Sequence, residues 1–393
     1  MIKHSQYFTE EHFAHSIVAL IKHEIPITKI LDLGIGNGAL SYAALNRWPN
    51  AMIEAVDIDL KICESYSTDK TNSFRVVHGD VLQEGTNHLE TDTYDLALCN
   101  PPYGRVRMAE DYSNLFHSAN VSGFSEIKQL SADVVFTAKN LLYLKEKGIL
   151  AIILPDGLLT RIDFLPFRKA LLDNYGIAKI IQLPERAFSK TEARTHVMIV
   201  SKGMPTNKKV PVSLMSERGH ICDTISVDRN RLYERMDYSF LKWNGGRNMK
   251  EIKKLDKSAF IVKRGSYSYK ELRSMDVSFL HSNMFQNGSK LQLDSIYNIN
   301  LANKVMAVEG DFVMCRVGKR CVGKIAYIEK GNIILSDCLY KITVPSKYIS
   351  YFKTILLGIG FQDWVRHVAH GVCSKVISKT ELEEFLCSSV INV

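Results

Sequence analysis

The sequence predicts an α/β domain built on a mostly parallel sheet of seven strands, followed by a smaller β-rich α+β domain. Three observations carry that prediction. Apolar β-type runs alternate with helical stretches through the first half of the chain. A glycine-rich turn, LDLGIGNGAL (Leu31 to Leu40), joins the first of those runs to a helix. After Ser201 the texture changes to short β-like runs punctuated by glycine.

Taken in order, a helix is expected from Glu10 to Glu24, where Phe13, Ile17, Leu20 and Ile21 recur at helical spacing. Strands are expected at Lys29–Leu33, Met52–Asp57, Phe74–His78, Tyr94–Cys99, Ile149–Leu154, Ile177–Leu183 and Thr195–Ser201. Helices fill Ala39–Arg47, Lys61–Tyr66, Glu126–Leu144 and Phe164–Tyr175. A long polar excursion, Gly104 to Ser125, follows the fourth strand, and loops of that length inside a compact domain are typically functional. Gly203-Met204-Pro205 breaks the seventh strand, and turn residues and charge rise again over Trp243–Lys257. The domains are therefore expected at 1–242 and 243–393. In the second, β-like runs at Asp311–Arg316, Gly323–Ile328, Ile333–Leu335 and Leu339–Val344 precede helices from Tyr351 to His367 and from Lys379 to Leu386.

The 393 residues are 46% hydrophobic and 23% charged, which excludes a disordered or collagenous chain. No run approaches the ~18–20 apolar residues that cross a membrane. The opening MIKHSQYFTEEHF lacks the basic-then-apolar layout of a secretory signal, so a cytoplasmic location is expected. The eight cysteines form no C-x-x-C pair and no His cluster completes a metal set; reduced thiols and no metal are expected. Charge is uneven: residues 1–205 carry a net −3 and residues 206–393 a net +11. The second half has the balance of a surface that meets a polyanion.

Gly34, Gly36 and Gly38 allow a tight turn and a close backbone approach to a ligand. Gly34, Gly36 and Ala39 also satisfy a dinucleotide G-x-G-x-x-A spacing. Asp32 pulls away from that reading, because a carboxylate inside the turn repels a pyrophosphate and suits a cationic amino-acid tail. Asp57 and Asp80 end or follow the next two strands. Any one of the three could be a turn or cap aspartate. Three in register at strand C-termini point to a ligand.

The fourth strand runs into NPPY: Asn100, Pro101, Pro102 and Tyr103. Two prolines stiffen the backbone and remove two N–H groups, so the turn presents acceptors. A planar exocyclic amine is a poor nucleophile because its lone pair is delocalised. The Asn100 side-chain oxygen and the Pro101 carbonyl can hold its two hydrogens out of plane and localise that pair. Tyr103 offers a ring face, worth ~1–3 kcal/mol per stacked base.

With these motifs in this order, the chain resembles the S-adenosylmethionine-dependent N6-adenine DNA methyltransferases of restriction-modification type. In the members it resembles, the cofactor motifs precede NPPY and a target-recognition domain comes last. YFTE (Tyr7 to Glu10) resembles the family's YFTP, with Glu10 in place of proline. GILAIILPDGLL and FRKALLDNYGIAKIIQLPERAF resemble the later strands of modification subunits. The stretch from GDFVMCRVGKR to HGVCSKVISKTELEEFL resembles one target-recognition domain of a type I specificity subunit, without its spacer helices.

The resemblance implies a Rossmann-like class I methyltransferase sheet that binds S-adenosylmethionine. Asp32 would lie near the methionine part, Asp57 at the ribose and Asp80 at the cofactor's adenine, with Gly34 and Gly36 in the turn beneath. Asn100, Pro101, Pro102 and Tyr103 would be catalytic, and Phe188 would face Tyr103 across a flipped base. Double-stranded DNA is the implied partner, with Arg105, Arg107, Arg316, Lys319, Arg320 and Lys324 as candidate contacts. A restriction endonuclease, if one exists, is expected as a separate chain, and no membrane partner is expected. NPPY also serves enzymes that methylate protein glutamine or an RNA base. The basic C-terminal domain speaks against the first; RNA, and cytosine N4, stay open. A binding module with a vestigial site is disfavoured by the intact motif set.

Overall fold

The computed structural model describes residues 9–67, 73–107, 110–121, 129–184, 187–188, 194–203, 207–245, 256–296, 301–371 and 374–388. The chain divides into two compact units, Met1–Leu241 and Lys242–Val393.

In the first unit, α1 (Glu11–Ala19) buries Phe13, Ala14, Ile17 and Val18 along one face. It stops short of the expected Glu24. The amides of Leu20 and Ile21 turn to carbonyls three residues back, at Ile17 and Val18, and this tighter turn still buries Ile21. Then come β1 (Lys29–Leu33), α2 (Ala39–Arg47), β2 (Met52–Asp57), α3 (Leu60–Tyr66), β3 (Phe74–His78) and β4 (Tyr94–Cys99). The polar excursion holds β5 (Arg105–Arg107) and α4 (Glu110–Ser118). β5 pairs antiparallel with β6 (Gln129–Ser131), so α5 (Ala132–Tyr143) begins later than the expected Glu126; residues 126–128 lie outside the described residues. β7 (Leu144–Pro155), α6 (Asp156–Thr160), α7 (Leu165–Asn174), β8 (Gly176–Gln182) and β9 (Thr195–Ser201) follow.

The sheet has nine strands rather than seven, because β10 (Lys209–Met215) and β11 (Ile221–Asp228) extend it. Their signal is weak in sequence: Pro211 interrupts β10, and β11 is a largely solvent-facing edge. Pro211 is tolerated because β10 pairs with β8 only from Val212 onward. The order is β11-β10-β8-β9-β7-β4-β1-β2-β3, with β9 antiparallel to both neighbours. Side chains alternate between two cores: Leu31, Leu33, Ala97 and Ile152 on one face, Ile30, Ile53, Leu96 and Ile153 on the other. Burial on both faces explains the near-continuous apolar runs that made these strands legible. Strand order reverses between β1 and β4, and in open α/β sheets ligands bind at the C-terminal edge of that point.

The second unit begins inside α8 (Tyr238–Gly245). Its elements are β12 (Ile261–Arg264), α9 (Tyr269–Ser274), β13 (Phe279–Leu280), β14 (Ser289–Gln292), β15 (Met306–Val308), β16 (Phe312–Cys315) and β17 (Val317–Gly318). β18 (Ile325–Lys330), β19 (Asn332–Leu335), β20 (Leu339–Thr343), α10 (Ile349–Leu356), α11 (Ile359–Val368), β21 (Lys375–Val376) and α12 (Lys379–Ser388) complete it. A five-stranded sheet, β12-β20-β16-β18-β14, and a three-stranded one, β13-β19-β15, form the β-rich part. The single helix expected from Tyr351 to His367 is two, because Gly358 is extended and starts a new helix.

Candidate active site

β1 delivers Asp32 almost to the sheet edge, and the chain then turns through Gly34, Gly36 and Gly38, all at positive φ. A side chain on Gly38 would be strained and would collide with the Tyr66 hydroxyl, 2.2 Å from the Cβ position. The turn is pinned from below: the Gly34 amide donates to the Val56 carbonyl at 2.7 Å. The Gly36 amide donates to Asp57 Oδ2 at 2.9 Å, and the Tyr66 hydroxyl donates to the Gly36 carbonyl at 3.2 Å.

Asp32 is buried and accepts one hydrogen bond, from the Ser41 hydroxyl at 2.6 Å. Burial pushes its carboxyl up to about 7; Ser41 works against that rise and Asp57 adds to it. A cation placed beside it would restore the carboxylate. Asp57 is buried, its Oδ1 taking the Asp59 amide at 2.9 Å. Asp80 accepts from the Leu82 amide and from Gln83 Nε2, both at 2.9 Å, which shapes the loop after β3.

At the end of β4, Pro101 is buried and Asn100 half-buried. Asn100 Nδ2 donates to Thr9 Oγ1 at 3.2 Å, and the Tyr103 hydroxyl lies 3.3 Å from Asn100 Oδ1 and 3.5 Å from the Ile153 carbonyl. Behind the turn, burial raises the Cys99 thiol well above its ordinary value, so it stays protonated.

One open pocket, about 1120 Å³ with its mouth, gathers Asp32, Gly34, Gly36, Asp57, Asp80, Asn100, Pro101 and Pro102. Thr9, Ile58, Leu82 and Phe136 are among the other residues that line it. The aspartates predicted from successive strands and the acceptor turn thus share one cavity at the reversal of strand order. Among the described residues no three His, Cys, Asp or Glu side chains converge as a metal site.

A family model described as N-6 DNA Methylase matches residues 66–261, and one described as Methyltransferase small domain matches residues 3–120. Residues 66–261 carry an N-6 DNA methylase family domain. A relative, the tRNA1(Val) (adenine(37)-N6)-methyltransferase of Vibrio campbellii, is 36% identical over 84 residues, 20% of this chain and 34% of that enzyme. The type I restriction enzyme MpnII methylase subunit of Mycoplasma pneumoniae is 27% identical over 148 residues, 36% of this chain and 27% of the subunit. The chain therefore spans about a third or less of the length of these curated relatives. Among solved structures, the type IIG restriction endonuclease BpuSI has the same fold, with 13% identity and a TM-score of 0.51, over 95% of this chain and 57% of that one. The sheet is that of a class I methyltransferase, and the cofactor of this family is S-adenosylmethionine. The pocket suits it: a glycine cradle for close approach, a buried carboxylate paired with no cation among the described residues, and two further aspartates in the same wall.

The remaining predicted residues lie elsewhere. Phe188 is 3% exposed and packs in the core with Leu183, Ala187 and Val197, so the pocket walls do not include it. Its chain neighbours 185–186 and 189–193 lie outside the described residues, as do Tyr7, Phe8 and Cys373. Arg105 and Arg107 stand exposed on β5, just past the NPPY turn. Lys319 and Arg320 are exposed, whereas Arg316 bonds the Asp337 carbonyl and lies over Tyr340, and Lys324 bonds the Ser282 carbonyl. The sequence did not single out Ser41, Phe136 or Thr9. Ser41 and Phe136 sit on the inward faces of α2 and α5, where a small or aromatic residue carries no distinguishing signal. Among the described residues no helix is long and apolar enough to cross a membrane.

Proposed function

We propose that this protein is a site-specific DNA methyltransferase that modifies adenine N6. The observation that carries the reading is the single pocket in which Asn100 and Pro101 stand beside the Asp32, Asp57 and Asp80 wall. Asp32 would hold the cofactor's amino group, Asp57 its ribose and Asp80 its adenine, the glycine turn lying beneath. When bound, S-adenosylmethionine supplies an electrophilic methyl group. The residues of the chain prepare the nucleophile: Asn100 Oδ1 and the Pro101 carbonyl accept the two amine hydrogens and draw them from the ring plane. The lone pair is thereby localised, and Pro101 and Pro102 keep both acceptors from moving. Catalysis is then largely positioning.

Duplex DNA is the favoured substrate because residues 242–393 carry a net +10, suited to phosphates. An adenine inside a duplex must be extruded at a cost of a few kcal/mol, offset by stacking on Tyr103 and by phosphate contacts. Lys319 and Arg320 are exposed for such contacts, as are Arg105 and Arg107. An RNA base is the second reading, favoured by the identity to the tRNA enzyme. Tritiated methyl transfer to duplex DNA and to total tRNA, run side by side, separates the two. Label in DNA at least tenfold above tRNA supports the proposal, and the reverse ratio refutes it.

A further inference from the structure

We infer that Thr9 is a positioning residue: its hydroxyl oxygen engages Asn100 Nδ2 and so turns Asn100 Oδ1 toward the incoming amine. The inference rests on the proposed function and names a residue that serves that same site. An amine offers hydrogens, so only the Oδ1 end of an asparagine amide can receive them. With the amide reversed, its NH2 would meet the amine hydrogens and the turn would repel its substrate. Tyr103 alone does not fix the choice, since a hydroxyl can face either end of an amide. With Thr9 Oγ1, 3.2 Å from Nδ2, as the acceptor at that end and the Tyr103 hydroxyl, 3.3 Å from Oδ1, as the donor at the other, the two hydroxyls together set the amide.

The two partners are 91 positions apart and are held by separate elements. Thr9 is 5% exposed, lines the pocket and immediately precedes the N-cap of α1. α1 packs on α2 and is braced by the β10–β11 turn, where His12 Nε2 meets the Glu217 carbonyl at 3.0 Å and Ser16 sits against Gly219. Asn100 is set by β4 and by the two prolines after it. The Tyr103 hydroxyl completes the arrangement: it lies within 3.5 Å of the Ile153 carbonyl, so it keeps a partner when the amine takes Oδ1. The hairpin that extends the sheet beyond seven strands thus reaches the catalytic turn through α1 and Thr9.

Thr9→Val keeps the shape and removes the oxygen; Thr9→Ser keeps the oxygen. With the full chain, we expect Thr9→Val to lower kcat about tenfold, the effect of losing one hydrogen bond in the transition state. The KM and calorimetric Kd for S-adenosylmethionine should stay within about twofold, and Thr9→Ser should restore kcat to within about threefold of wild type. An unchanged kcat in Thr9→Val overturns the inference. So does a Thr9→Ser variant as slow as Thr9→Val, or a Thr9→Val variant whose loss lies in cofactor affinity. A second readout needs no turnover: the side-chain amide of Asn100, followed by NMR in asparagine-15N-labelled protein and assigned by its disappearance in Asn100→Ala. Slow exchange of that NH2 in wild type and Thr9→Ser, and fast exchange in Thr9→Val, supports the inference; identical exchange in all three overturns it. If wild type methylates neither DNA nor RNA, the proposed function falls, while this amide still decides the role of Thr9.

Discussion

Replacing Asp32 with asparagine should make the empty protein more stable at alkaline pH while removing its grip on the cofactor. Asp32 is 2% exposed and its carboxyl sits at about 7 against an ordinary 3.8. Its folded value is raised, so the folded state prefers the neutral acid. Below about pH 4 the group is protonated folded and unfolded, and contributes nothing. Between pH 4 and 7 the unfolded chain ionises while the folded one resists, and stability falls until the loss levels off above pH 7. A difference of about 3 pH units corresponds to about 4 kcal/mol at the plateau. Asparagine keeps an oxygen for the Ser41 hydroxyl but buries an NH2 group that needs a partner, at about 1–3 kcal/mol. The net gain at pH 8.5 is therefore about 1–3 kcal/mol, turning into a loss of similar size at pH 4. Urea unfolding of both proteins at pH 4, 6 and 8.5 measures it, alongside calorimetric titration with S-adenosylmethionine. Wild-type affinity should weaken below pH 7, by up to about tenfold per pH unit, because the cation needs the carboxylate. A stability difference that does not change with pH would refute the reasoning.

Asn100→Ala should reduce methyl transfer to background yet bind S-adenosylmethionine within about twofold of wild type, since the aspartate wall is untouched; residual turnover above a tenth of wild type would remove Asn100 from the role given it. Residues 1–241 alone should bind the cofactor and lose DNA affinity, and full-length binding should fall steeply between 50 and 200 mM salt as neutralised phosphates release counterions. Full DNA affinity in the truncated protein would reassign the contacts to the first unit.

Much of this site was legible because several of its residues lie at or just beyond the C-terminal ends of largely apolar strands. Asp32, Asp57 and Asn100 interrupt LDL, AVD and LALC runs, so their placement at the sheet edge follows from strand periodicity alone. What stayed hidden was set by tertiary pairing. Gln129–Ser131 carry a helical pattern, yet their amides find β5 and the helix begins later. β10 and β11 were obscured by Pro211 and by an edge position that needs no apolar alternation. Phe188 follows a strand like a stacking aromatic does, but its ring is consumed by the core. Arg316 and Lys324 each give a hydrogen bond to a carbonyl distant in sequence, a tertiary pairing that charge counting does not reveal.

The measurement that bears most directly on the central claim is nucleoside mass spectrometry of unmethylated genomic DNA incubated with the purified protein and S-adenosylmethionine, with Asn100→Ala in parallel. The account predicts N6-methyl-2′-deoxyadenosine rising to a fixed plateau, as for a limited set of sites, and none with the variant. N4-methylcytosine as the sole product, or equal methylation by the variant, would contradict it.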